Sequence, residues 1–384
     1  MNCEIGFHRA QGGTARGFKE DYLIRLANAG KRPVLKTCND YGQVAEALGY
    51  GAITCFRITD QGVELPDYNL LPFDAAVSHW ENIKRSLPPE FDKRTWLETA
   101  NEPDKNRAEW LGEFSLHTAI MMNNEGYKYA AFGWAAGEPE VEHWRGLEMQ
   151  KFLMFAAANP HRCAVALHEY SYNVNDIRAG FPFLIGRYVV LNHVCTDEIG
   201  VAAPTILITE WGWEKGKVPS PEQAMNDIAW AQSIYGQTAN VRMVALWYLG
   251  PGFDDIAKDA EKIIKPLGDW VAETDFPPGV WPVPPSTPEF IKYLWLETIQ
   301  EQMDNGIRAN PDAAIQQAIL AEKDMSPVIN EIKRQARGRE VTIGVGENLV
   351  TGERVMFLWT LEEGIERHTD PFILAGDTPY LRDV

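Results

Sequence analysis

Thr95-Trp96-Leu97-Glu98-Thr99-Ala100-Asn101-Glu102-Pro103-Asp104 runs from an apolar, β-prone start into a polar turn, and Arg107–Asn123 behind it carries apolar residues at helical spacing. That is one strand–loop–helix unit. Working outward, the same unit recurs on both sides. Strands are expected at Glu4–His8, Pro33–Thr37, Ala52–Arg57, Thr95–Ala100, Tyr129–Trp134, Ala164–His168, Thr205–Thr209 and Val241–Trp247. Helices are expected between them, among others at Asp74–Arg85, Glu140–Ala158, Ile177–Val194 and Pro221–Tyr235, with an eighth at Asp254–Ala272. Ser220 before Pro221 places a capping hydroxyl ahead of a proline at the first helical position, and Asp74 and Asp176 can cap likewise. Alternating units imply parallel strands joined by right-handed crossovers, and eight of them in about 275 residues make an α/β fold, a closed (β/α)₈ TIM barrel. An open doubly wound sheet would carry a GxGxxG turn after its first strand. Gly6 followed by Gln11-Gly12-Gly13 lacks that spacing.

Six prolines fall between Pro277 and Pro288. Proline at that density cannot continue a helix, so the segment is a boundary or a strap along the barrel wall. The expected division is therefore a barrel over 1–276, a Pro-rich linker or strap over 277–288, and an accessory region over 289–384. In that last region Pro288–Asn305, Asp312–Lys323 and Pro327–Arg337 read as helices, and Glu340–Val345 with Arg354–Thr360 read as a β-hairpin. It carries no motif, and reads as an accessory or homo-oligomer-forming appendage.

The 384 residues hold 36 Lys and Arg against 54 Asp and Glu, a net charge of −18. A field of that sign repels phosphate backbones and anionic lipid, so nucleic acid and membrane surfaces are excluded as partners and a neutral substrate fits. Hydrophobic residues at 45% and charged residues at 23% are those of a globular chain. Five scattered cysteines without a CxxC read as free thiols, and no signal peptide is visible. The expectation is a cytoplasmic protein, or a secreted one if a leader has been removed.

In such a barrel the chemistry sits just after each strand. Glu102 follows the fourth strand and Glu210 ends the seventh, within Thr209-Glu210-Trp211-Gly212-Trp213. Two carboxylates across one crevice suit glycoside hydrolysis: one delivers a proton to the departing oxygen, and the other attacks the anomeric carbon or steadies the oxocarbenium-like transition state. Asn101 offers an amide to the sugar 2-hydroxyl. Pro103 fixes the chain after the acid.

Glu98-Thr99-Ala100-Asn101-Glu102-Pro103 resembles the E-x-A-N-E-P strand of glycoside hydrolase family 5 and its clan A relatives, and Thr209-Glu210-Trp211-Gly212 resembles their strand-seven nucleophile segment. The Asn-Glu-Pro-Asp and Thr-Glu-Trp-Gly-Trp runs are also similar to families 39 and 128. His168-Glu169-Tyr170 looks like the strand-six His-x-Tyr whose Tyr bonds the nucleophile, Trp247 like the strand-eight Trp that floors the catalytic subsite, and Arg57 matches by position the buried Arg beside the nucleophile. The resemblance covers about residues 4–276. It implies a retaining hydrolase of β-glycosidic bonds, with Glu102 as acid/base, Glu210 as nucleophile held ionised by Arg57 and Tyr170, and a carboxyl separation of about 5–5.5 Å. No metal and no cofactor are expected.

Around this pair, Glu98 lies on the same strand face as Glu102 and needs a partner, Lys36 or Arg57, either as a structural ion pair or to tune Glu102. Glu169 alternates with His168 and is expected to face outward. His8, at the end of the first strand, can bond a sugar hydroxyl, and Trp134, Trp211, Trp213 and Trp247 at strand ends are expected to stack on sugar rings, with Tyr172 and Phe253 extending the platform. Several aromatic walls favour an endo-acting β-glycanase on a neutral oligo- or polysaccharide over an exo-acting glycosidase. A metal-dependent hydrolase would need a His-x-His on the first strand, which reads Gly6-Phe7-His8-Arg9. The remaining alternative is a carbohydrate-binding or structural protein on a hydrolase-like barrel. Which sugar is bound is not written in these residues.

Overall fold

The computed structural model describes residues 4–284 apart from 13–14, 60–61, 215 and 254–255, together with the backbone of 341–347, 354–360 and 372–374. Eight strands close into a parallel barrel in chain order: β1 (Glu4–Ala10), β2 (Val34–Cys38), β3 (Ile53–Arg57), β4 (Trp96–Glu98), β5 (Lys128–Trp134), β6 (Cys163–Tyr170), β7 (Thr205–Gly212) and β8 (Val241–Leu249). β8 pairs back on β1, from Glu4↔Met243 to Arg9↔Leu249. Every expected strand is present. β6 and β7 run two and three residues further than the sequence suggested, which carries Tyr170 and Glu210 to the rim on ordered backbone.

Ten helices surround the barrel: α1 (Arg25–Asn28), α2 (Tyr41–Gly49), α3 (Pro72–Ser86), α4 (Ala108–Asn124), α5 (Val141–Trp144), α6 (Leu147–Ala158), α7 (Arg187–His193), α8 (Pro221–Tyr235), α9 (Ala257–Ala260) and α10 (Ile264–Glu273). Ser220 caps α8 by accepting the Gln223 N–H, and Asp176 caps the short turn Ile177–Gly180 by accepting that of Arg178. Asp74 is no cap, because α3 begins earlier, at Pro72. It lies in the first turn, where a negative charge suits the helix dipole.

Two expected helices are broken, each by its surroundings. The stretch 140–158 divides before α6 because Glu109 of α4 reaches across to accept the Glu148 N–H at 2.9 Å, leaving room at Gly146 for no side chain. The stretch 177–194 is interrupted by Phe181-Pro182, since proline forces its predecessor out of the helical region, and it resumes only at α7. The last expected helix, 254–272, is helical without a gap from Ala257 to Glu273, with a 3₁₀ turn at Glu261–Ile263 between α9 and the ten-residue α10.

Two cores result. Inside the barrel, small Ala130, Ala164, Ala166 and Ala245 leave room for Trp96, Leu207 and Met243, and between strands and helices lies a larger layer that includes Phe7, Tyr22, Phe114, Phe132 and Leu191. The prolines at 277–284 run as a strap: Val280 pairs with Gln237 and Ala239, and Trp281 donates its indole N–H to Ala203. Cys38, Cys55, Cys163 and Cys195 are free thiols. Among the described residues no helix is long and apolar enough to cross a membrane.

Contacts divide the chain into 1–285 and 286–384. The second unit contains an antiparallel sheet in which β10 (Arg354–Thr360) pairs with β9 (Val341–Glu347) and β11 (Phe372–Leu374). The helices expected over 288–337 and the hairpin turn lie outside the described residues.

Candidate active site

Period-two alternation sends Lys36 and Cys38 of β2, Arg57 of β3, Glu98 of β4, and His168 and Tyr170 of β6 to the inside of the barrel. Strict alternation would not deliver Glu210 there as well, because Leu207 and Thr209 already point inward. The ladder to β6 solves this with one extra residue: Leu167 pairs with Ile208, and His168 with Glu210, skipping Thr209. This bulge turns two successive side chains into the barrel. Thr209 donates to Glu98 Oε1 at 2.8 Å, and Glu210 takes the centre.

Glu210 is buried among donors. Arg57 Nη2 lies 3.2 Å and Lys36 Nζ 3.3 Å from its Oε1, and the Tyr170 hydroxyl donates to its Oε2 at 2.7 Å. Burial alone would raise the carboxyl pKa, but His168, Lys36 and Arg57 outweigh it and hold Glu210 well below the usual range. It is an anion at any ordinary pH. Glu98 is likewise held low, against its burial, by Lys36, Arg57 and His168. Lys36, fully buried, therefore bridges Glu98 and Glu210, so the ion pair expected for Glu98 also supports Glu210.

Glu102 is presented differently. Its backbone has a φ of 47°, a conformation that side chains rarely adopt, and it is fixed there by its N–H donating to the Gly133 carbonyl at 2.9 Å. Its side chain is 46% exposed against 9% for Glu210. His168 joins the two: Nδ1 lies 3.1 Å from Glu102 Oε1 and 3.7 Å from Glu210 Oε2, while Nε2 lies 3.2 Å from Glu98 Oε1. Burial would lower its pKa, but Glu210, Glu102 and Glu98 together raise it, and a ring with carboxylates at both nitrogens donates from both. Gly133 is required here. A Cβ at that position would come 2.6 Å from Glu98 Oε1 and 3.3 Å from His168 Nε2, and its φ is 60°.

A cleft of about 570 Å³ opens above the two glutamates. Of the residues expected to bind substrate, His8, Arg57, Asn101, Tyr170 and Trp247 line it, and so do Tyr172 and Phe253. Cys38 and Tyr248 line it too and were not anticipated. Cys38 follows Lys36 at the spacing of two and could have been found. Tyr248 stacks on Trp247 at 4.6 Å across a cis peptide, an arrangement without a sequence signal. His8 Nε2 sits 3.3 Å from Cys38 Sγ, and burial and Lys36 push His8 well below the imidazole range, so it is neutral.

Four expected binding residues are elsewhere. Trp134 is fully buried against Phe132 and Trp144, because a second bulge, between Phe132 and Trp134, turns it outward to the helices. Trp211 and Trp213 pack on each other behind β7, the second donating to Asp227 of α8, because the bulge that brings Glu210 inward sends Trp211 outward. His168 is buried beneath the glutamates, touching them rather than the cleft. Glu169 faces the helices, accepting the Gly186 N–H and the Tyr235 hydroxyl, and burial pushes its carboxyl up to about 7.

Fold and site together define a class: a (β/α)₈ barrel with a carboxylate pair in a cleft at its carboxyl face. No protein-family model and no curated protein matches the chain. Solved structures resemble it at low identity. XacCel5A in complex with cellopentaose is 12% identical, covering 69% of this chain and 99% of that one, with a TM-score of 0.43. The catalytic domain of a mannanase from Streptomyces sp. SirexAA-E is 16% identical, with 71% and 87% covered and a TM-score of 0.36. The YdjI aldolase from Escherichia coli K12 is 8% identical, with 70% and 88% covered and a TM-score of 0.32.

Proposed function

We propose that the protein is a retaining glycoside hydrolase acting on β-glycosidic bonds of a neutral oligo- or polysaccharide. The observation that carries this is the asymmetry of the two glutamates around His168. Glu210 is buried, anionic and aimed into the cleft from below. Glu102 stands exposed beside it with one oxygen engaged by His168 and the other available for a proton. In the first step a Glu210 oxygen bonds to the anomeric carbon as the bond to the leaving oxygen breaks and Glu102 gives that oxygen its proton. In the second, Glu102 takes a proton from water, whose oxygen attacks the same carbon and releases Glu210. Both carboxylates lie within 3.7 Å of one ring nitrogen, which favours the narrow spacing of direct attack over the roughly 6.5–9.5 Å that leaves room for water. Tyr172 and Phe253 line the cleft beside Trp247, after β6 and β8, so it offers aromatic faces for more than one sugar ring, which suits endo action.

Treatment with an activated 2-fluoro glycoside should add one glycosyl mass to the protein and none to Glu210→Gln, whose kcat should fall about 10⁴-fold or more. Glu102→Ala should keep more rate on activated aryl glycosides than on glycans and be rescued by azide as the β-glycosyl azide. Labelling of Glu210→Gln would remove the nucleophile assignment. No label and no turnover across a broad glycan panel would make the barrel a carbohydrate binder.

A further inference from the structure

The opposite end of the barrel holds a second cavity, of about 280 Å³. Its lining residues precede or begin their strands: Arg32 before β2, Arg94 and Trp96 at β4, Lys128 at β5, His161 before β6 and Arg242 at β8. In a chain of net charge −18, four permanent cations converge on one small cavity. Carboxylates offset three of them in part: Glu4 accepts from Arg32 at 2.5 Å and also feels the charge of Arg242, and Arg94 holds Asp92 by two bonds of 2.9 and 2.6 Å. Among the described residues, no carboxylate lies within ion-pairing distance of Lys128, which is half-buried with its ammonium 5.0 Å over the Trp96 ring. Burial, and then repulsion from Arg242, Arg162, Arg32 and Arg94, pull its pKa down.

We propose that this amino-terminal mouth binds a small multivalent oxyanion, a phosphate group free or carried by a sugar, between Lys128, Arg242, Arg32 and Arg94. Charge-assisted bonds from several cations at once suit a compact group with several acceptor oxygens. A cavity this size takes one or two such groups, and the chain's net charge of −18 turns polyanions away. The site lies at the far end of the barrel from Glu102 and Glu210, so occupancy acts on stability rather than on the chemistry.

The test is titration of the full chain with inorganic phosphate, pyrophosphate and glucose 6-phosphate at constant ionic strength, followed by tryptophan fluorescence and thermal denaturation, with chloride as control. Saturable binding and a rising Tm are expected. Lys128→Met should weaken binding about 10-fold or more, the loss of one charged partner, and Arg94→Ala, on the exposed rim where folding is not at stake, should weaken it several-fold; glycan turnover should be unchanged in both. Tighter binding of glucose 6-phosphate than of inorganic phosphate would assign the group to a sugar phosphate, and the reverse order to the free ion. A response equal to that of chloride, or curves unchanged in both variants, would overturn the proposal.

Discussion

At the carboxyl ends of the strands Lys36 and Arg57 are interleaved with Glu98 and Glu210, whereas at the amino ends Arg32, Arg94, Lys128 and Arg242 outnumber the Glu4 and Asp92 beside them. The first set is buried and self-neutralising, each charge positioned by its opposite. The second is half open and repels itself. The difference teaches where buried charge is structural: at the carboxyl mouth the ions neutralise one another within the fold, and at the amino mouth Lys128 is left among like charges.

The comparison is broken most severely by making the same substitution at both ends. Lys36→Met should cost about 3–5 kcal/mol in chemical denaturation, because it leaves Glu98 and Glu210 facing each other with only part of their compensation, and glycan turnover should collapse with it. A loss under about 1 kcal/mol with kcat intact would show that Arg57 alone suffices. Gly133→Ala should come next, at about 2 kcal/mol, since it combines a positive φ with a Cβ driven against Glu98 and His168. Its mark would be a displaced acid limb in the pH–rate profile of the surviving activity, and an unshifted profile would reduce Gly133 to a packing position. Lys128→Met should have the smallest effect and the opposite sign. Without an oxyanion it should raise stability by up to about 1 kcal/mol, more at low salt, because it removes a charge that its neighbours repel. Destabilisation there would mean that the ammonium on Trp96 outweighs the repulsion.

The barrel was legible because eight strand–helix units leave a periodic trace, and Glu102 and Glu210 because strand ends are where a barrel does chemistry. Arg57 and Tyr170 were legible through the resemblance of their segments to clan A hydrolases, and Lys36 through the need of Glu98 for a cation from a neighbouring strand. Trp134, Trp211 and Trp213 were not, since each lies beyond an irregularity that moves one residue without altering composition. The break before α6 depends on Glu109, a residue of another helix, and no local window contains that contact. Positions that obey local periodicity were readable, and those set by contacts across the barrel were not.

The extra residue in β7 also says how such a cleft can be gained or lost. Drawn out into strict alternation with every residue kept, β7 would put Glu210 on the helix side and its neighbour Trp211 on the barrel axis. Losing the bulge while keeping its residues would therefore invert the inner and outer faces of this edge of the cleft, and a sequence idealised for regular strands could build the same barrel with Glu210 pointing away from any substrate.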